Sequence, residues 1–175
     1  MLPPKRVKRT KTAEQALASL QRLCARAERS SGDALRLMAT WEVDPAKRHE
    51  VLQRLIDDRF IDDRRYAEAF VREKTSLSSW GEYKIRATLK RKGISDEIIA
   101  EVCNSSETLH TTERLTQRLQ RKARTYNYKT LYELKTKLLR HALSLGFQMD
   151  EALEGVDQVM KTINTDSKCD EDTFF

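Results

Sequence analysis

Glycine, proline and cysteine are scarce in this chain. Its 175 residues include five Gly and three Pro, so few positions favour the left-handed backbone of tight turns and few interrupt a helix. With 34 % of residues charged, the composition predicts an almost entirely helical protein. Cys24, Cys103 and Cys169 are odd in number, widely spaced and never in a C-x-x-C pair. That indicates neither a disulfide framework nor a zinc site, and the thiols read as small packing residues in a reducing compartment, with Cys169 expected to be the most exposed. His49, His110 and His141 are scattered without the i, i+4 spacing of a metal pair. There is no Walker A loop, no G-x-G-x-x-G and no G-x-S-x-G, so the chain has no visible means to hydrolyse a nucleotide or form a covalent intermediate. No enzyme, cofactor or metal is expected. No run of ~18 apolar residues could span a bilayer, and no apolar stretch follows the basic N-terminus as in a secretory leader; the expected location is the cytoplasm.

Charge is segregated. The formal net charge is +6, but Lys5, Arg6, Lys8, Arg9 and Lys11 precede any acid. Between Arg114 and Arg140 lie nine basic residues and one acid, Glu133. The sign reverses through Asp166, Asp170, Glu171 and Asp172. Such asymmetry implies a polyanionic partner, either nucleic acid or an acidic protein groove, rather than a small substrate.

One pattern occurs three times: an apolar residue, another four on, then Gly or Glu four further, then an apolar residue. The copies are Ala34, Met38, Glu42, Val43; Ile85, Leu89, Gly93, Ile94; and Leu138, Ala142, Gly146, Phe147. The first two positions of each copy share a helical face, and Gly93 and Gly146 suit the left-handed residue that ends a helix. Nine helices follow, at about 13–29, 32–42, 45–59, 62–76, 80–92, 96–104, 110–125, 129–145 and 149–162. Asp44-Pro45, Ser79 with Glu82, Ser95, and Thr130 with Glu133 supply start signals, and Asp62 or Asp63 caps the fourth helix. The fold class is all-α, an elongated solenoid of three tandem three-helix repeats: residues 12–61, 62–108 and 109–164. A basic tail, 1–11, and an acidic tail, 165–175, are too polar to pack and are expected to be mobile.

Two segments are more specific than any composition. They are Phe60-Ile61-Asp62-Asp63-Arg64-Arg65-Tyr66-Ala67-Glu68-Ala69-Phe70-Val71-Arg72 and Ile85-Arg86-Ala87-Thr88-Leu89-Lys90-Arg91-Lys92-Gly93-Ile94. An acidic pair before an aromatic-alanine helix, then a basic helix closing on Lys-Gly-Ile, resembles the central signature of the RecX family, regulators of the RecA recombinase. Arg22-Leu23-Cys24-Ala25-Arg26-Ala27-Glu28-Arg29-Ser30 resembles that family's first repeat, and Leu145-Gly146-Phe147 the close of its third. Glu42 stands where the pattern usually has Gly. The resemblance implies tandem three-helix units, binding to RecA on DNA, and suppression of strand exchange, ATP hydrolysis and co-protease activity.

The candidate binding residues are Lys84, Arg86, Lys90 and Arg91 on the helix after Trp80, opposite Ile85 and Leu89, with only Glu82 as a local acidic partner. Arg114, Arg121, Lys129, Lys137 and Arg140 form the corresponding basic surface of the third repeat. Phosphate contacts need no fixed geometry, so weak, non-specific DNA binding is expected beside RecA binding. The alternative is a helical nucleic-acid-binding module that acts without RecA. Tyr66, Phe70 and Trp41 read as core and Trp80 as a candidate exposed anchor. Asp57, Asp58, Asp62 and Asp63 have Arg59, Arg64 and Arg65 beside them, so they read as helix-start and ion-pair residues rather than an acid–base pair. The protein is expected to be a monomer.

Overall fold

The computed structural model describes residues 10–106 and 112–169. Lys5, Arg6, Lys8, Arg9, His110, Asp170, Glu171 and Asp172 lie outside the described residues, as does the predicted start of the seventh helix. Among the described residues there are nine helices and no strand: α1 (Ala13–Cys24), α2 (Ser31–Thr40), α3 (Pro45–Asp57), α4 (Asp63–Ser78), α5 (Glu82–Arg91), α6 (Asp96–Asn104), α7 (Thr112–Ala123), α8 (Leu131–Leu145) and α9 (Met149–Cys169).

Capping explains most of the boundaries. Thr12 and Gln15 form a reciprocal capping box at α1. The Asp44 carboxylate accepts from the Ala46 amide at 3.0 Å, with Pro45 in the first turn where no amide is needed. Asp62 caps α4 by accepting from the Arg65 amide at 2.9 Å. Asp63 instead accepts from the Ser31 amide at 2.8 Å, at the first residue of α2. Thr130 caps α8, so Lys129 lies in the turn before that helix rather than on it. Ser79 is not the cap of α5: its φ is +52°, left-handed, whereas a cap residue is extended. Gly81 is instead the residue whose carbonyl accepts the first helical bond, from Ile85 at 3.3 Å.

Three further expectations need correction. α1 stops at Cys24, short of residue 29. α9 runs on to Cys169, through part of the segment expected to be a mobile tail; no proline or glycine interrupts it after Gly155, and adding a residue to an existing helix is cheap. Lys11 is not a loose tail residue. Its amide donates to the Trp41 carbonyl at 3.0 Å, and its ammonium donates to Ser19 Oγ at 2.8 Å and sits 3.5 Å from the Trp41 ring centroid.

The chain forms two compact units, one comprising residues up to Phe70 together with Thr88–Val102, the other Val71–Ala87 together with residues from Cys103 onward. In the first, Ala16, Leu20, Ala34, Met38, Val43, Val51, Leu52, Leu55 and Ile61 build the core. In the second, Leu115, Leu119, Leu134, Leu138, Ala142, Phe147, Ala152, Val156 and Val159 do so. The repeated seam residues Ala34, Met38, Ile85, Leu89, Leu138 and Ala142 are all fully buried. Trp41 packs half-buried on the first core. Tyr66 and Phe70 are half-buried and stacked, centroids 6.1 Å apart, while the smaller Ala67 and Val71 occupy the fully buried positions of α4.

Gly93 and Gly146 have φ of +81° and +90°, and Glu42 takes the same conformation at +54°. A side chain there costs roughly 1–2 kcal/mol, partly offset because glycine loses more entropy on folding. Glu42→Gly should therefore stabilise the first unit by up to about 1 kcal/mol, read as a higher urea midpoint at unchanged slope. A lower midpoint would mean that the Glu42 side chain contributes more than its backbone strain costs.

Candidate binding surface

Each unit contains a joint of the same form. In the first, Ser30 Oγ donates to the Lys92 carbonyl at 2.7 Å while accepting from the Asp33 amide, so the α2 cap is tied to the end of α5. Arg36 donates to the Arg91 carbonyl at 2.7 Å. Lys92 reaches both Asp33 oxygens at 3.0–3.1 Å, and Arg36 pairs with the same carboxylate. Burial pushes the Asp33 carboxyl up, but the bonds from Lys92 and Arg36 outweigh it and hold the group below its ordinary range. In the second unit, the Gly81 amide donates to the Leu145 carbonyl at 2.9 Å and Lys84 Nζ to the Ser144 carbonyl, also at 2.9 Å. In both joints a cation, Arg36 of α2 or Lys84 of α5, donates to the carbonyl two residues before a left-handed glycine, Gly93 or Gly146.

The predicted cations are therefore unequal. In the second unit, Lys84 turns toward Ser144 and lies 4.6 Å from the Trp80 ring centroid. Trp80 packs half-buried on the second core and is not an exposed anchor. Arg86 pairs with Glu82 and donates to Asn104 Oδ1 at 3.2 Å. In the first unit, Lys90 pairs with Asp96 at 3.0 Å, so Glu82 is not the only acid available to the cations of α5. Arg91 is exposed, with its guanidinium 3.1 Å from Thr88 Oγ1.

The remaining candidates belong to the second unit. Lys137 is held by Glu133 and the Asn127 carbonyl, each at 2.7 Å. The Glu133 carboxyl lies below its ordinary range because it accepts from the Lys129 amide and from Lys137. Arg114 is half-buried. Arg121, Lys129 and Arg140 are exposed and form no ion pair among the described residues. Arg124, absent from the predicted set, is exposed and likewise forms none. Burial, then Lys122, Arg118 and Lys84, push the His141 pKa below its ordinary value.

No group of three or more His, Cys, Asp or Glu among the described residues could hold a metal. Burial pushes the Cys24 and Cys103 thiols up, away from the reactive thiolate. No helix among the described residues is long and apolar enough to cross a membrane.

The family profile for RecX, second three-helix domain, matches residues 62–102. The regulatory protein RecX of Lactococcus lactis subsp. cremoris (strain MG1363) is 29 % identical over 126 residues, 69 % of this chain and 46 % of that protein. That of Bacillus cytotoxicus is 28 % identical over 134 residues, 77 % of this chain and 49 % of its own. The chain thus spans about half the length of these curated relatives. The crystal structure of RecX from Lactobacillus salivarius shares the fold with a TM-score of 0.69 at 20 % identity, over 87 % of this chain and 97 % of that one. A second crystal structure of a regulatory protein RecX gives 0.73 at 19 % identity, over 83 % and 73 %. Residues 62–102 thus match the second three-helix domain of RecX, and the chain is similar to RecX proteins in sequence and shares their all-helical fold.

Proposed function

We propose that this chain is a non-enzymatic, cytoplasmic regulator of the RecA recombinase that binds RecA and its filament on DNA and suppresses strand exchange, ATP hydrolysis and co-protease activity. The observation that carries this reading is the match of residues 62–102 to the RecX second three-helix domain. Division into repeats at 12–61, 62–108 and 109–164 belongs to the same proposal, supported by the matching joints at Gly93 and Gly146. Among the candidate contacts, Arg91, Arg121, Lys129 and Arg140 are the most available. Lys84, Arg86, Lys90, Arg114 and Lys137 are partly buried or bonded within their own unit, and would reach a partner by exchanging those bonds.

Purified protein should slow the DNA-dependent ATPase of RecA in a dose-dependent way while hydrolysing no ATP itself. Arg121→Glu, Lys129→Glu and Arg140→Glu combined should weaken that inhibition, because several contacts turned repulsive at an interface cost several kcal/mol in total. Stability should change by only about 0.5 kcal/mol per exposed site. A RecA ATPase rate unchanged over a wide excess of protein would overturn the proposal. Failure to bind DNA-free RecA once salt screens phosphate contacts would favour the RecA-independent nucleic-acid module.

A further inference from the structure

At the end of the second unit the side chains of Gln120, Ala123, Arg124, Tyr128, Val159, Thr162 and Ile163 enclose a cleft of about 380 Å³, within the ~300–1,000 Å³ range of small-ligand pockets. Its apolar surface comes from Ala123, Val159 and Ile163, and polar groups stand around it. The Arg124 guanidinium and the Gln120 side-chain amide have no partner among the described residues. Tyr128 retains 38 % of its surface exposed, and in the first turn of α8 Tyr132 retains 81 %. Arg121 in the last turn of α7 and Lys129 in the turn before α8 are exposed and without a carboxylate partner among the described residues.

We infer that this cleft binds one base of a single-stranded nucleic acid, without sequence preference, with Tyr128 as the stacking face and Arg124 on the adjoining phosphate. This goes beyond general electrostatic attraction to DNA because it requires an unpaired base, and it does not depend on the recombinase reading. An aromatic face accepts any base, since every base presents a π surface, and cations alongside follow the backbone. A duplex keeps its bases stacked on each other, so it offers phosphates only. The Trp41 ring of the first unit stands near Lys11, Arg22 and Arg26 in a recess of its own, but the Lys11 ammonium already covers it. No such cap is seen on Tyr128 among the described residues.

The occupant with a competing claim is the chain's own segment Asp170-Glu171-Asp172-Thr173-Phe174-Phe175, which offers the same chemistry of negative charge beside aromatic rings. Single-stranded nucleic acid is favoured because further exposed cations without a carboxylate partner, Arg121 and Lys129, flank Arg124 and Tyr128 along the chain, and a continuous phosphate backbone supplies more than one charge to meet them.

The test is fluorescence anisotropy of the full chain, without RecA, against labelled oligo(dT), the same strand with abasic residues, and a duplex of equal length. Oligo(dT) should bind about tenfold more tightly than the abasic strand, the size of one stacking interaction. Tyr128→Ala should abolish that difference, Tyr128→Phe should keep it, and Arg124→Glu should weaken both strands. Circular dichroism of each variant should match the parent. Equal binding of oligo(dT) and abasic strand by the parent would overturn the inference, as would a difference that survives Tyr128→Ala. Should oligo(dT) bind only after residues 170–175 are removed, the chain's own segment is the occupant and the inference fails for the intact protein.

Discussion

Ile85→Asp and Leu89→Asp should each abolish cooperative folding of the unit to which the residue belongs, the second for Ile85 and the first for Leu89. Both side chains are fully buried, four residues apart on α5. An aspartate at either position would place a carboxylate among apolar atoms with no cation or amide to receive it. That costs at least several kcal/mol, or forces the acid to stay protonated, against a total stability of roughly 5 to 15 kcal/mol for an ordinary domain. The lost apolar contacts add about 2 kcal/mol or more, as large-to-small core substitutions do. Tyr83→Asp on the same helix is the matched control. Tyr83 is 66 % exposed, and a substitution there should stay within about 0.5 kcal/mol of the parent. Melting followed by circular dichroism decides the matter: parental midpoints for either buried variant would mean that the packed face of α5 has been misidentified.

That face was legible in the sequence because it is local. The i, i+4 spacing of Ile85 and Leu89, the glycines that end α5 and α8, and the caps at Asp44, Asp62 and Thr130 involve residues within one turn of each other. What was not legible lies far apart along the chain. Asp63 looked like one half of a capping pair, yet its carboxylate receives an amide 32 residues away. Lys84 looked like a free cation, yet its ammonium meets a carbonyl 60 residues away and the face of Trp80. Lys90 found its acid at Asp96, beyond the helix end, where a wheel drawn for one helix does not look. The cleft beside Tyr128 was missed differently. Its cations were counted, but the alternation of Tyr126, Tyr128 and Tyr132 with Arg124 and Lys129 was the signal that could have located it.

Gly32→Ala and Gly81→Ala should be strongly damaging, although neither removes a contact. A Cβ on Gly32 would lie 2.2 Å from the Lys92 carbonyl oxygen, 2.8 Å from its carbon and 3.0 Å from Gly93 Cα. On Gly81 it would lie 2.4 Å from the Gly146 oxygen, 2.5 Å from its carbon and 2.6 Å from the Phe147 nitrogen. These neighbours are backbone, so no rotamer change relieves the clash and the two helix ends must separate. Separation in the first unit stretches the bonds from Ser30 and Arg36 to the end of α5, and in the second the Gly81 amide bond and the Lys84 bond. Overpacking costs about 1–3 kcal/mol and each lost hydrogen bond about 0.5–1.5 kcal/mol, so roughly 3 kcal/mol or more is expected per variant. Gly155→Ala separates this effect from glycine replacement in general. Its Cβ would meet side chains rather than backbone, Leu115 at 3.0 Å from Cδ2 and 3.2 Å from Cγ and Leu119 at 3.6 Å from Cδ1. Alanine inside a helix also gains about 1 kcal/mol over glycine, so that variant should stay close to the parent or slightly above it. Urea unfolding of the three variants should therefore show two large losses and one near-neutral change; a Gly81→Ala protein as stable as Gly155→Ala would mean that α5 and α8 are not locked together at their ends.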